Sequence, residues 1–319
     1  MINNVEEHKI LDNSKLKAYM TCPRRYFFEY ILGWRPEHTS HDLWFGQAVH
    51  LGLEHMYDIW RERGPEFGYS RLVQEAYHKF LEHYRKEFGV LTDIDHPEKN
   101  PANVLELFYR YAQKYGEEDK FEVIHTEISG SIPINREDEP KLIFFRLDTV
   151  IEDKGKRKIL EHKTSKWSVS LWEQSWDKDF QPIIGSIVMY MLYDNPGGII
   201  MNGLFLRKDP SKIEFYRKHM NPSLRQLEAG RANLELWYDQ IFGDHARLHE
   251  CKEEDHALRA FPCNPKGCMA YNRPCTYKDY CEAWPNPLRY AETPPPGFCI
   301  EHWDPRAQDK ETTTKVTVE

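Results

Sequence analysis

Residues 142–166 read LIFFRLDTVIEDKGKRKILEHKTSK. Two runs rich in β-branched and aromatic residues flank the polar stretch Glu152-Asp153-Lys154-Gly155-Lys156, which predicts strands over 142–151 and 158–162 joined by a hairpin with Gly155 in the turn. Alternate side chains of a strand share a face, so Glu161 and Lys163 stand together while His162 faces the other way. With the turn near residue 155, Asp148 falls roughly opposite Glu161, and both acids reach the same end of the pair. Two hard oxygen donors beside a backbone carbonyl suit Mg²⁺ or Mn²⁺. An ammonium group next to them orients or deprotonates an attacking water and offsets charge on a phosphate. The same letters also fit two acids and a base on an exposed hairpin, where a salt bridge contributes little. The rest of the chain decides between these readings.

N-terminal to this hairpin the apolar residues recur at helical spacing. Phe45, Val49, Leu53, Met56, Tyr57 and Trp60 mark one helix over 45–60, and residues 70–88 and 102–115 are amphipathic. Residues 14–32 predict a helix, a turn and a second helix, with Pro23 in the first turn of the second. The period then changes to that of strands at 121–128, returns to helix at about 178–194, and gives a buried strand at 198–206, an edge strand at 212–216 and a long helix at 222–241. Helices, a strand meander, one helix and more strands predict an α/β fold with a mixed sheet rather than a doubly wound parallel one. Residues 1–290 are expected to form a single domain with a helical insertion at about 52–118 and a cysteine-rich segment at 261–285. Residues 291–319, with TPPPG and a charged, Thr-rich end, are expected to be a flexible tail.

The chain has 319 residues, of which 40% are hydrophobic and 13% aromatic, enough for a sizeable core. This excludes a disordered polymer. No apolar run is long enough to span a membrane. The first residues, MINNVEEHKI, lack the basic and apolar regions of a signal peptide, so a cytoplasmic location is expected. A formal charge of −8 argues against a surface coated in positive charge, yet it leaves room for local basic clusters such as Arg24-Arg25 and residues 154–158.

Asp148 followed by Glu161-His162-Lys163 resembles the signature of the PD-(D/E)XK nuclease superfamily. Neighbouring stretches resemble one branch of it, the RecB/AddB-type nucleases and the CRISPR-associated exonucleases related to them. YMTCPRRYFFEY, at 19–30, resembles the N-terminal motif of that branch, and FGQAVHLGLE, at 45–54, resembles the motif in which a histidine contributes to the metal site. The resemblance spans roughly residues 14–285 with its motifs in family order. It implies a restriction-endonuclease-like mixed sheet flanked by helices, and metal-dependent hydrolysis of DNA, first of all as an exonuclease at DNA ends. His50, Asp148 and Glu161 would hold Mg²⁺ or Mn²⁺, the carbonyl of His162 would assist, and Lys163 would position the water. Glu127 resembles an additional acidic position. The branch usually carries Gln-x-x-x-Tyr on the following helix. Here SIVMY places Ser186 and Tyr190, and Gln181 stands earlier on the same helix as a substitute for DNA contact or support of the site. No GxxxxGK[ST] motif occurs in the chain, so unwinding would need a helicase or recombination partner.

Of the seven cysteines, Cys22 stands alone near the start and the other six fall in the last quarter. Clustered cysteines in a protein of this expected location read as metal or cluster ligands rather than disulfides. Cys268, Cys275 and Cys281 lie in CMAYNRPCTYKDYC, and three thiolates are too few for a closed four-coordinate site. Cys22 is the candidate for the fourth, and the resemblance implies the same set holding a 4Fe–4S cluster. Zn²⁺ takes four thiolates equally well, and Cys263 is an alternative ligand. Cys251 and Cys299 read as free thiols. Arg24, Arg25 and Tyr26 follow Cys22 and have the chemistry to meet a DNA strand by phosphate pairing and base stacking. The reading from a different class is a non-catalytic DNA-binding or assembly subunit with a structural metal cluster.

Overall fold

The computed structural model describes residues 10–64, 68–136, 138–194, 196–270, 273–308 and 313–317. The fold is mixed α/β, and it divides into two compact units. One comprises residues 39–130, 146–227 and 311–319, and the other 1–38, 131–145 and 228–310.

The first of these carries a five-stranded sheet in the order β1 (Glu122–His125), β2 (Thr149–Asp153), β3 (Lys156–Ser165), β4 (Pro196–Phe205) and β5 (Glu214–Met220). All neighbouring pairs are antiparallel except β3 and β4, which run parallel. The β2–β3 hairpin turns where the sequence places it, with Lys154 and Gly155 both at positive φ, 54° and 72°. Its register sets Thr149 opposite Leu160. Three helices cover one face: α1 (His41–Arg63), α2 (Tyr69–Tyr84) and α3 (Pro101–Glu118). Asn100 caps α3 by accepting from the Asn103 N–H, with Pro101 at the first helical position. The helices approach closely at Gly52, where a Cβ would meet the Phe108 ring at 2.5 Å and the Ala76 carbonyl at 2.9 Å. Val49, Leu53, Phe80 and Phe108 from the helices and Leu160, Ile200 and Leu204 from the sheet are buried in this core. Full burial of each such side chain contributes roughly 1.5–3 kcal/mol. The other face of the sheet is covered by α5 (Phe180–Leu192), which follows the short helix α4 (Val169–Ser175); Gly185 of α5 lies over Ile159 and Ile199.

The strand expected over 142–151 is broken in two. Leu142–Leu147 and β2 leave Asp148 between them, and the expected strand over 121–128 divides likewise into β1 and Ile128–Pro133. The physical reason at Asp148 is a change of partner: Ile143 and Phe144 pair in parallel with Leu11 and Asp12, whereas Thr149 enters the five-stranded sheet. The residue between the two ladders is free to turn its carboxylate onto a backbone N–H.

In the second unit, helix Asn13–Thr21 is capped by Asp12, whose carboxylate accepts from the Lys15 N–H at 2.7 Å. Cys22 separates it from Pro23–Tyr26, and a π-helical turn, Phe27–Ile31, follows. An aromatic core holds this unit: Phe28 stacks on Trp34 and on Tyr277, with centroids 5.2 and 5.4 Å apart, and Tyr26 stacks on Phe261 at 5.7 Å. Residues 291–319, for which composition predicts a flexible tail, supply strand Phe298–Ile300, which pairs antiparallel with Trp34–Pro36. Residues 309–312, 318 and 319 of that segment lie outside the described residues. Among the described residues no helix is long and apolar enough to cross a membrane.

Candidate active site

Alternation along β3 puts Ile159, Glu161 and Lys163 on the face covered by α5, and Leu160 and His162 on the face covered by α1–α3. Glu161 is almost completely enclosed, its side chain 3% exposed, while the Lys163 side chain is 24% exposed and reaches solvent. Lys163 Nζ donates to Glu161 Oε1 at 2.6 Å. Gln181 Nε2, from the first turn of α5, donates to the same oxygen at 2.6 Å. Asp179 caps α5 by accepting from the Gln181 N–H at 2.8 Å, which fixes the position from which that side chain reaches out. Glu161 Oε2 is buried and has no hydrogen-bond partner among the described residues.

Asp148 meets the same end of β3. Its Oδ2 accepts from the His162 backbone N–H at 2.7 Å, and its Oδ1 stands 3.3 Å from His50 Nδ1 on α1. The structure therefore gathers His50, Asp148, Glu161, His162 and Lys163 about the end of β3. Burial by itself would push the Asp148 carboxyl up, but His50, close by and hydrogen-bonded, holds it well below the usual carboxylate range. Glu161 moves the opposite way, raised by burial and then by the Asp148 charge despite Lys163. For Lys163, burial opposes the charged form, yet Glu161 and Asp148 together keep it above its ordinary value. The environments of the two acids thus push them apart, a pattern that recurs at functional sites.

The orphaned Glu161 oxygen is the feature a divalent cation would satisfy, because a buried carboxylate oxygen without a partner is costly. The available donors are hard oxygens and one imidazole, a set that fits Mg²⁺ or Mn²⁺. Among the described residues no group of three or more His, Cys, Asp or Glu side chains stands close enough together to hold a metal ion. The donors are assembled on one strand end, but they are not drawn in around a common point.

Beneath these residues lies a polar network that the sequence did not disclose. Asn202, Tyr111, Tyr57, Arg217 and Asp119 connect to the His162 ring by hydrogen bonds and stacking. The one visible signal is the amide of Asn202 inside the apolar run GIIMNGLFL. Burial lowers His162 to about 3 despite the nearby Asp148 charge, so its ring is neutral. Glu127 accepts from the Thr313 hydroxyl and lies 3.9 Å from Arg146.

Two residues expected at DNA lie in the interior of their unit. Arg24 is buried, and its guanidinium donates to the carbonyls of Phe261, at 2.9 Å, and Leu258, at 3.1 Å. Tyr26 is fully enclosed in the aromatic core. Both serve the interior, because the helix after Cys22 packs under the cysteine-rich segment rather than facing solvent. Arg25 is partly exposed and pairs with Glu29 at 3.1 Å. Tyr190 is exposed on α5, and the Ser186 hydroxyl, buried on the same helix, has no partner among the described residues.

In the other unit, Cys263, Cys275 and Cys281 lie within electrostatic reach of Cys22 and Cys268, but among the described residues they do not stand close enough together to hold a metal ion. Asn264 donates its backbone N–H to Cys22 Sγ at 3.3 Å, and Cys263 and Cys281 have their sulfurs 3.8 Å apart. The Cys275 N–H donates to the Cys268 carbonyl at 2.8 Å. Burial, with Cys281 beside it, pushes the Cys263 thiol up to about 12. Burial also raises Cys275 and Cys281. Cys251 and Cys299 stand apart and donate locally, to the carbonyls of Arg247 and Arg35. Residues 271 and 272, inside the cysteine-rich segment, lie outside the described residues.

A solved structure described as "Crystal structure of SSO0001" is similar to the chain at 16% identity, over 50% of this chain and 69% of that one, with a TM-score of 0.26, a likeness that carries no argument. No curated protein matches the chain. The family profile described as the PD-(D/E)XK nuclease superfamily matches residues 13–282, a span that takes in the whole five-stranded sheet, His50 and the cysteines at 22 and 263–281. On that match the chain belongs to the PD-(D/E)XK nuclease superfamily.

Proposed function

We propose that the chain is a Mg²⁺- or Mn²⁺-dependent deoxyribonuclease that hydrolyses phosphodiester bonds at DNA ends. The observation that carries this reading is the buried, unpartnered Glu161 Oε2 beside Asp148 and Lys163. His50, Asp148 and Glu161, with the His162 carbonyl, would hold the cation. When bound, it would polarise the scissile phosphate and make a water acidic enough to serve as nucleophile at neutral pH. The chain's own groups do the rest. Lys163 stays protonated and partly exposed, placed to orient the water and to face the negative phosphate. Gln181 and Lys163 both hold Glu161 Oε1, leaving Oε2 as the free ligand atom. Tyr190, exposed on α5, is the candidate on this unit for contact with the strand.

Action at ends is supported by the resemblance to the RecB/AddB-type branch. In this reading the chain acts in recombination, repair or mobile-element DNA processing, with a helicase or recombination protein as partner. Cys22, Cys268, Cys275 and Cys281 hold a 4Fe–4S cluster in this reading, which rests on the resemblance to the iron–sulfur-containing members of that branch. Zn²⁺ at the same thiols is distinguished by metal analysis and the absence of a visible absorption band.

The test is digestion of labelled linear DNA, with free or blocked ends, by the wild type and Lys163→Ala in Mn²⁺. The expected result is cleavage of free-ended DNA by the wild type alone. Equal inertness of both proteins favours the non-catalytic DNA-binding subunit, and cleavage of end-blocked DNA at the same rate overturns the exonuclease assignment.

A further inference from the structure

Asn202 lies at the centre of β4 and is fully buried. The parallel register sets it beside His162. Its Nδ2 stands 2.8 Å from His162 Nδ1 and donates to the Tyr111 hydroxyl at 2.8 Å. Its Oδ1 accepts from Arg217 Nε at 3.3 Å. Arg217, on β5, is anchored in turn by Asp119, to which it donates through Nη1 and Nη2 at 2.5 and 2.9 Å, and its guanidinium lies over the Tyr115 ring at 3.6 Å.

The chemistry of these groups leaves one arrangement. A guanidinium only donates, so the Asn202 atom facing Arg217 must be the oxygen, and the amide is not free to turn over. The NH₂ then faces His162, and its two hydrogens go to Nδ1 and to Tyr111. A ring nitrogen that accepts carries no proton, so the proton of the neutral imidazole sits on Nε2. Held this way, the ring stacks on Tyr57, with centroids 5.4 Å apart, and stands edge-on to His50 at 6.2 Å. The same residue's backbone N–H grips Asp148.

We propose that Asn202, locked by Arg217, is a positioning residue for the nuclease site: it fixes the His162 ring as the neutral Nε2–H tautomer and so steadies the backbone that holds Asp148. It acts through His162 and touches neither the cation nor DNA. The inference rests on the metal-dependent reading above, but its first test does not.

That test is the ¹⁵N-imidazole NMR spectrum of the metal-free protein. The wild type should show His162 as Nε2–H. In Asn202→Asp the carboxylate accepts where the amide donated, and the ring should switch to Nδ1–H. Nδ1–H in the wild type, or no switch in Asn202→Asp, overturns the proposal, and the wild-type spectrum serves even if the variant does not fold. The second test is Mn²⁺ titration of folded Asn202→Ala, with kinetics on DNA. Loss of such a supporting contact should weaken Mn²⁺ binding and kcat by roughly 10- to 100-fold while the KM for DNA stays put. Wild-type Mn²⁺ affinity in that variant overturns the proposal. Absence of Mn²⁺ binding by the wild type overturns instead the metal-dependent reading on which it rests.

Discussion

Around Glu161 the side chains are fixed by bonds of 2.6 Å to the carboxylate and 2.7 Å to Asp148, each made by the chain itself. Around Cys22 the contacts between thiols are looser, with 3.8 Å between the Cys263 and Cys281 sulfurs and local backbone bonds to hold the loop. The difference lies in what the polypeptide supplies without a metal. The carboxylate site stands on the central strand of a sheet, where β4 pairs along Glu161, His162 and Lys163 and the β2 ladder runs up to Leu160. The cysteine segment is made of short turns, a pair of two-residue strands and a six-residue helix, and it has few ladders to rely on. A metal at the first site would serve chemistry on a scaffold that already stands. A cluster at the second would itself be scaffold, closing a loop of more than two hundred residues between Cys22 and Cys268.

Substitutions break the comparison if they affect both sites in the same way. The largest effect is expected at Lys163. Lys163→Ala should lower kcat by about 10²- to 10⁴-fold, the scale of a positioned proton-transfer group, measured by single-turnover cleavage. Next is Cys281→Ser. If the thiols hold a structural cluster, its loss belongs to the rare class above about 4–5 kcal/mol, and Tm by calorimetry should fall by roughly 10 °C or more. Glu161→Gln sharpens the contrast. Burial and the Asp148 charge raise the Glu161 pKa, so its ionisation costs stability, a loss that develops as pH rises from the unfolded pKa through the raised folded one and is constant above both. The metal-free variant should therefore melt at or above the wild-type temperature at pH 7 while losing cleavage. Gln181→Ala should reduce activity by roughly tenfold, since it supports a ligand without being one. The smallest effect on activity is expected from Gly52→Ala. Its Cβ would strike Phe108 and the Ala76 carbonyl, and overpacking of this kind costs about 1–3 kcal/mol, with the activity of folded molecules unchanged.

The hairpin was legible because two local signals coincide, an apolar period of two and a Gly-centred turn, and register then places Asp148 across from Glu161 by counting alone. His50 was legible only through resemblance, since helical spacing says nothing about which strand a helix faces. The network behind His162 was not legible. Asn202 and Tyr111 are 91 positions apart, and Arg217 and Asp119 are 98 apart, and no periodicity links residues so distant. Arg24 misled for a related reason. A paired Arg-Arg reads as surface charge, whereas here one member satisfies buried carbonyls of residues 258 and 261. The break at Asp148 was hidden because the apolar pattern runs through it unchanged, and only the exchange of pairing partners interrupts the strand.

The most direct measurement is Mn²⁺-dependent cleavage of end-labelled linear DNA by the wild type and Glu161→Gln side by side, with the melting temperature of each recorded in the same buffer. Cleavage by the wild type, and none by a variant that melts no lower, is the predicted result. A wild type inert in both Mn²⁺ and Mg²⁺, or a Glu161→Gln protein that cuts at the wild-type rate, would contradict the account.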